Sequence, residues 1–419
     1  MALIRVYKKY NVFLYVPVYN RSSRAQDMVL KITTEDGTPV AGVNVTYRQI
    51  EQDFMLGAGL CGWENASLVK ELGINTISGG DYASDMVSII YNVPPPYDFT
   101  DLVKESLEHK EYMENTFDLK YWYLGVGIPY IDWLTDGVIE AGPPPSWANF
   151  TDIEGFLKPV WEKYITAKLR YTSADLYLIP AAPLGWIDSS PELEQNWQLL
   201  KWEIETIRNM KPGIRLGIVL SAGWNGTGTP SDTDVFKFLE KMFAEGIDID
   251  VIGMEYHPGL DGCSPDISDM EKYYYELTKF NRDIFIWEIF ANSNASELYP
   301  DPGWYTEDWQ AHIYSEALRL AFENPYIIGI NYICFGDYPP EHARTGNELN
   351  LYQGFVRAAG TPKPSFYKTR DYWRSTFVSG QAVTDEKGEI RFTGYPGTYE
   401  ITIEDEVYQV EFTRPRIVQ

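Results

Sequence analysis

"RDIFIWEIFANSN", residues 282–294, places a single carboxylate, Glu288, among six large apolar side chains: Ile284, Phe285, Ile286, Trp287, Ile289 and Phe290. An unpaired carboxylate in such surroundings is costly, by several kcal/mol even after relaxation. The segment itself reads as a short apolar strand, and seven more of the same kind occur at 54–60, 75–79, 121–126, 176–180, 216–221, 251–256 and 327–333. Amphipathic helical patterns fall between them, for example at 100–115, 192–210 and 306–324. Thr306 is a weak cap for the last of these, and its acidic first turn is the better start signal. Alternation of this type makes parallel βαβ units. Eight strands over 54–377 fit a (β/α)8 barrel with long loops. A doubly wound open sheet is the alternative. In a barrel, Glu288 ends a strand at the C-terminal face, where chemistry is placed.

The preceding strand supplies companions. "VIGMEYHPG" (251–259) carries Glu255 and His257 two residues apart, hence on one face. If strands six and seven are neighbours, His257 hydrogen-bonds Glu288 and Glu255 lies close by. Two carboxylates and an imidazole at one rim form an acid/base cluster. The structural alternative is a core histidine satisfied by a structural carboxylate. Asp81 ends strand two, and Asp188 follows strand four. The strand-end aromatics Trp63, Tyr82, Tyr130, Trp133, Trp186 and Trp224 are placed to line a sugar cleft, or else to pack beneath loops.

Both ends of the chain alternate like antiparallel sheet. "VLKITTEDGTPVAGVNVTYRQ" (29–49) and "QAVTDEKGEIRFTGYPGTYEITIEDEVYQVEFT" (381–413) carry turns at Asp36-Gly37, Lys387-Gly388 and Pro396-Gly397. Neither has enough strands to stand alone. Together, 25–53 and 378–419 make a small discontinuous β-sandwich with the barrel, 54–377, inserted. Residues 1–24 are strand-like and basic. They read as an edge strand of the sandwich or as an arm that pairs with a neighbouring subunit.

A formal charge of −25 argues against nucleic-acid binding, which depends on clustered Lys and Arg. No apolar run approaches a membrane span. The three cysteines and four scattered histidines have no metal-ligand spacing, so neither a metal nor a cofactor is expected. Cys61 and Cys334 end the first and last strands, neighbours in a closed barrel, which leaves a disulfide or a buried thiol pair open. Asn20, Asn44, Asn65, Asn149, Asn225 and Asn294 lie in Asn-X-Ser/Thr sequons. About two would arise by chance, so an extracellular or cell-surface glycoprotein is expected.

Four segments in order resemble glycoside hydrolase family 10, the xylanase family, in its plant-type layout. They are "DGTPVAGVNVTYRQIEQDFMLGAGL" (36–60), "IDVIGMEYHPG" (249–259), "IFIWEIF" (284–290), and "GTPKPSFYKTRDYW" (360–373) with "TDEKGEIRFTGYPGTYEITI" (384–403). The resemblance makes Glu288 the nucleophile of a retaining mechanism and His257 its partner. It also implies an acid/base carboxylate in an Asn-Glu pair after strand four, a position that falls here on Ala181-Ala182. Strand three keeps Trp133 without the family's histidine, strand five ends "VLSAGW" where Asn-Asp is expected, and Glu255 replaces the usual Gln.

Two functions follow. The favoured one is a non-catalytic or weakly catalytic barrel that binds a polysaccharide or assembles with copies of itself through its terminal strands. The other is a retaining β-glycanase with Glu288 as nucleophile and Glu255 as displaced acid/base.

Overall fold

The computed structural model describes residues 9–60, 65–78, 95–125, 149, 151–172, 174–180, 191–260, 262–294, 302–338 and 352–415. The ends of the chain form two antiparallel sheets. One joins β1 (Asn11–Tyr15), β2 (Gln26–Thr33) and β13 (Glu389–Gly394), in that order. The other runs β12 (Ser379–Val383), β3 (Asn44–Gln52), β14 (Gly397–Ile403), β15 (Glu406–Phe412). Alternation decides which side chains meet. Tyr399, Ile401 and Ile403 face inward from β14, against Leu30 and Ile32 of β2 and Ile390 of β13. Gly388 takes φ +72° in the turn before β13, a conformation an L side chain rarely adopts.

Residues 11–15 are the edge strand of this sandwich, paired from Asn11↔Thr33 to Tyr15↔Val29 of the same chain. The Lys9 backbone N–H donates to Glu406 Oε2 (3.3 Å) and that of Tyr10 to the Tyr408 hydroxyl (3.2 Å), closing the chain start onto β15. Arg24 is buried and donates to the carbonyls of Phe322, Asn324 (2.9 Å) and Ile327. It thus ties the last turn of the helix Glu307–Glu323, through Phe322, to the start of the strand that follows, through Ile327.

The middle of the chain is a closed barrel of eight strands: β4 (Met55–Ala58), β5 (Thr76–Ser78), β6 (Tyr121–Gly125), β7 (Leu176–Pro180), β8 (Leu216–Ser221), β9 (Val251–Glu255), β10 (Asp283–Ile289) and β11 (Ile327–Tyr332). Each is parallel to its neighbours, and β11 pairs with β4 from Gly329↔Met55 to Tyr332↔Ala58. Closure excludes the open doubly wound sheet. The barrel interior is filled by Met55, Tyr123, Leu178, Val219, Phe285 and Trp287 among others. Outward-facing residues such as Ile252, Met254, Ile284 and Ile286 pack on the surrounding helices.

One start signal was under-read in the sequence. The Thr306 side chain accepts from Trp309 N–H (3.1 Å) and caps the helix Glu307–Glu323, with Glu307 and Asp308 in its first turn.

Candidate functional site

Strand alternation alone would turn Glu288 away from the barrel axis. Phe285 and Trp287 belong to the inner cluster and Ile286 to the outer one, so strict period two sends residue 288 outward. A bulge corrects this. Asp283 to Ile286 pair in step with Val251 to Met254, and then Glu288, not Trp287, pairs with Glu255. Trp287 is the extra residue. Its carbonyl accepts from Asn331 Nδ2 (3.1 Å) on the other neighbouring strand, and the same irregularity recurs in the β10–β11 ladder. Ile289 then faces outward again.

The bulge brings Glu288 to His257. Its Oε1 lies 3.2 Å from His257 Nε2, with side chains 17% and 8% exposed respectively. The His257 ring packs on Phe290 with centroids 4.1 Å apart, which fixes the imidazole plane. Backbone bonds hold the rim: Tyr256 N–H donates to Glu288 O (3.0 Å), and Ala222 N–H to Glu255 O (2.9 Å). Glu255 is half-buried on the strand beside Glu288, in register with it. Trp287 forms the floor beneath, edge-on to Tyr123 at 5.0 Å. Such a cluster can hold a polar ligand by a carboxylate and an imidazole, and can transfer a proton or present a nucleophile.

Trp224, expected at the cleft, is instead 4% exposed. Its indole N–H donates to Thr227 O (2.9 Å) and its ring packs 6.0 Å from Tyr273, so it lies beneath its own loop. Packing beneath a loop was the alternative for these aromatics, and for Trp224 it is the outcome. Asp81, Tyr82, Trp133 and Trp186 lie outside the described residues, as do Trp63, Tyr130, Asp188 and the Ala181-Ala182 pair. Cys334 is buried, and its suggested partner Cys61 also lies outside the described residues. All six sequon asparagines are exposed. In four of them the hydroxyl two residues on donates to the asparagine Oδ1: Ser22 to Asn20 (2.7 Å), Ser67 to Asn65 (2.6 Å), Thr151 to Asn149 (2.8 Å), Thr227 to Asn225 (2.6 Å). Among the described residues no group of three or more His, Cys, Asp or Glu could hold a metal ion, and no helix is long and apolar enough to cross a membrane.

Sequence reasoning missed a buried ion pair beside the site. Lys363 Nζ lies 2.8 Å from Asp337 Oδ1 and also donates to Ser293 Oγ (3.0 Å). Gly354 N–H donates to the same Asp337 oxygen (2.8 Å). Burial pushes the Asp337 carboxyl up to about 6, against the pull of Lys363, and burial pulls the Lys363 ammonium down. The pair ties the loop after β11 to the loop after β10, five residues beyond Glu288. The Lys-Pro at 363–364 was legible as a motif, but its partner 26 residues away was not.

No protein-family model matches the chain, and no curated protein matches it. Solved structures do. Xylanase 10B of Thermotoga petrophila, in complex with xylobiose, is 14% identical with a TM-score of 0.53, covering 77% of this chain and 94% of that one. The endo-1,4-beta-xylanase XylE of Penicillium canescens is 15% identical with a TM-score of 0.55, covering 76% and 94%. The GH10 xylanase of Thermobacillus composti is 16% identical with a TM-score of 0.54, covering 76% and 97%. At these identities the likeness establishes the fold, a xylanase-type barrel.

Proposed function

We propose that this chain is a carbohydrate-binding barrel of the xylanase type, in which the Glu288–His257 pair is kept and efficient hydrolysis has been lost. The observation that carries the reading is the 3.2 Å contact between these two side chains at a strand end. Against efficient catalysis stands the sequence after strand four, which holds no Asp or Glu from 176 to 187. A retaining glycosidase needs its acid/base carboxyl about 5–5.5 Å from the nucleophile, and loss of a general acid costs a factor of about 10²–10⁴. The ligand is a neutral β-linked polysaccharide segment, since a chain of charge −25 repels an anionic one.

A second reading rests on the register of Glu288 with Glu255. Neighbouring strands run about 4.8 Å apart, so Glu255 is placed to act as a displaced acid/base in a retaining β-glycanase. An extracellular or surface location with glycosylation is supported by six exposed sequons. Self-assembly through the N-terminal strand draws less support, because residues 11–15 pair within their own chain.

The test is a panel of activated aryl β-glycosides, xylobiosyl, cellobiosyl and mannosyl, with wild type and Glu288→Gln, run beside polysaccharide pull-down. A good leaving group needs little acid assistance, so a working nucleophile gives a burst. The binding reading expects retention on one polysaccharide with no burst. A burst abolished by Glu288→Gln overturns it in favour of the enzyme. Neither burst nor retention removes both.

A further inference from the structure

In the β10–β11 ladder Ile286 pairs with Ile330 and Ile289 with Tyr332, so Asn331 alone stands opposite two residues, Trp287 and Glu288. Its side chain meets the carbonyl that the extra residue puts out of step: Nδ2 donates to Trp287 O (3.1 Å). Asn331 is 4% exposed, and the Oδ1 of the same amide is buried with no hydrogen-bond partner among the described residues. A buried acceptor left unmet costs stability that an apolar side chain of the same size would not. What sets an amide apart from leucine at this place is its donor.

The strand on the other side makes room for that amide. Asn331 pairs with Gly57 of β4. A Cβ on Gly57 would stand 2.5 Å from Asn331 Oδ1 and 3.3 Å from its Cγ, closer than such atoms pack. A strand glycine of this kind marks a close approach. Just past the bulge, two backbone bonds report its state. Tyr256 N–H donates to Glu288 O (3.0 Å) and Ile333 N–H to Ile289 O (3.1 Å).

We propose that Asn331 is the positioning residue for Glu288: its amide, seated over Gly57, locks the one-residue bulge that brings Glu288 to His257. Without that donor the strand relaxes toward the in-step register, in which Trp287 pairs with Glu255 and Glu288 faces outward. Only the expected effect on ligand rests on the sugar-binding reading; the hold on the bulge does not.

The experiment is native-state amide hydrogen exchange of the full chain, run beside polysaccharide retention, for wild type, Asn331→Ala, Gly57→Ala and the double variant. Asn331→Ala removes the amide, and Gly57→Ala keeps it but pushes it off the Trp287 carbonyl. Each is expected to speed exchange at Tyr256 and Ile333 at least tenfold relative to Ile252 and Met254, in the in-step rungs below. Each should also weaken retention at least tenfold. A general loss of stability would move all four amides together. The double variant is expected to match Asn331→Ala, because Gly57→Ala then has no amide to displace. If Asn331→Ala does not fold, Gly57→Ala alone carries the comparison. Rim amides that keep pace with Ile252 and Met254 overturn the proposal, as do additive effects in the double variant. Full retention in a variant whose rim amides have opened overturns it too. A wild type that no polysaccharide retains removes the sugar-binding reading alone, and the exchange ratios then decide.

Discussion

Glu288 and Glu255 occupy the same rung of two parallel barrel strands, although four in-step pairs below them would have matched Glu255 with Trp287. One extra residue in β10 makes the difference. It turns Glu288 inward, brings its Oε1 to 3.2 Å from His257, and leaves Trp287 as the floor.

His257 is therefore expected to orient Glu288. His257→Asn should weaken polysaccharide retention about tenfold, near 1.4 kcal/mol, with the fold intact by circular dichroism. Retention equal to wild type would make the histidine a core residue only.

Trp287 fills the top of the barrel interior against Tyr123. Trp287→Ala should cost about 3–5 kcal/mol in chemical denaturation, and Trp287→Phe clearly less. Equal costs would mean that the bulge, and not the indole, sets the packing.

The Asp337–Lys363 pair predicts non-additivity. Breaking it from one side, by Asp337→Asn or Lys363→Met, should destabilise by about 3–5 kcal/mol, and the double variant by much less than the sum. The pH sign follows from the raised Asp337 carboxyl, about 6 in the fold against 3.8 unperturbed. The folded chain then holds that proton more tightly than the unfolded one. This contribution is complete below the unfolded value and is lost as pH rises through about 6. Stability of wild type relative to Asp337→Asn should accordingly increase from pH 7 to pH 5. A decrease over that range would show that the ion-paired carboxylate is the favoured form.

Arg24 reaches across 298 positions in sequence to the carbonyl of Phe322. Arg24→Met takes the guanidinium from three carbonyls, of which only Asn324 O keeps a second donor, the Ile327 N–H (3.1 Å), and should lower stability by about 3 kcal/mol, read as a lower denaturant midpoint. A change within ±0.5 kcal/mol would reassign those carbonyls to water.

The exposed sequons predict added mass. Intact-mass spectrometry of native material should show hexose-bearing species that vanish on enzymatic deglycosylation, with Asn-to-Asp conversions at Asn20, Asn44, Asn65, Asn149, Asn225 or Asn294. The unmodified polypeptide mass alone would remove the glycoprotein expectation.

The sequence by itself determined the strands, the helices between them and the sandwich at the two ends. Those features rest on local periodicity: short apolar runs such as 216–221, and the strict alternation of 397–403. Glu288 stood out in the same way, as a charge in an apolar run, and the two-residue spacing of Glu255 and His257 put both on one face. What the tertiary structure alone decided was direction and partnership. Period two turned Glu288 outward, and only pairing with β9 revealed the bulge. Trp224 ended a strand like a cleft residue until its loop folded over it. No local pattern marks Arg24 or Lys363 as buried, because a side chain's burial depends on chain that returns from far away. Local sequence sets the backbone's preferred conformation. Which groups lose water together is settled only when distant segments meet, and that loss decides both the cost and the use of a charge.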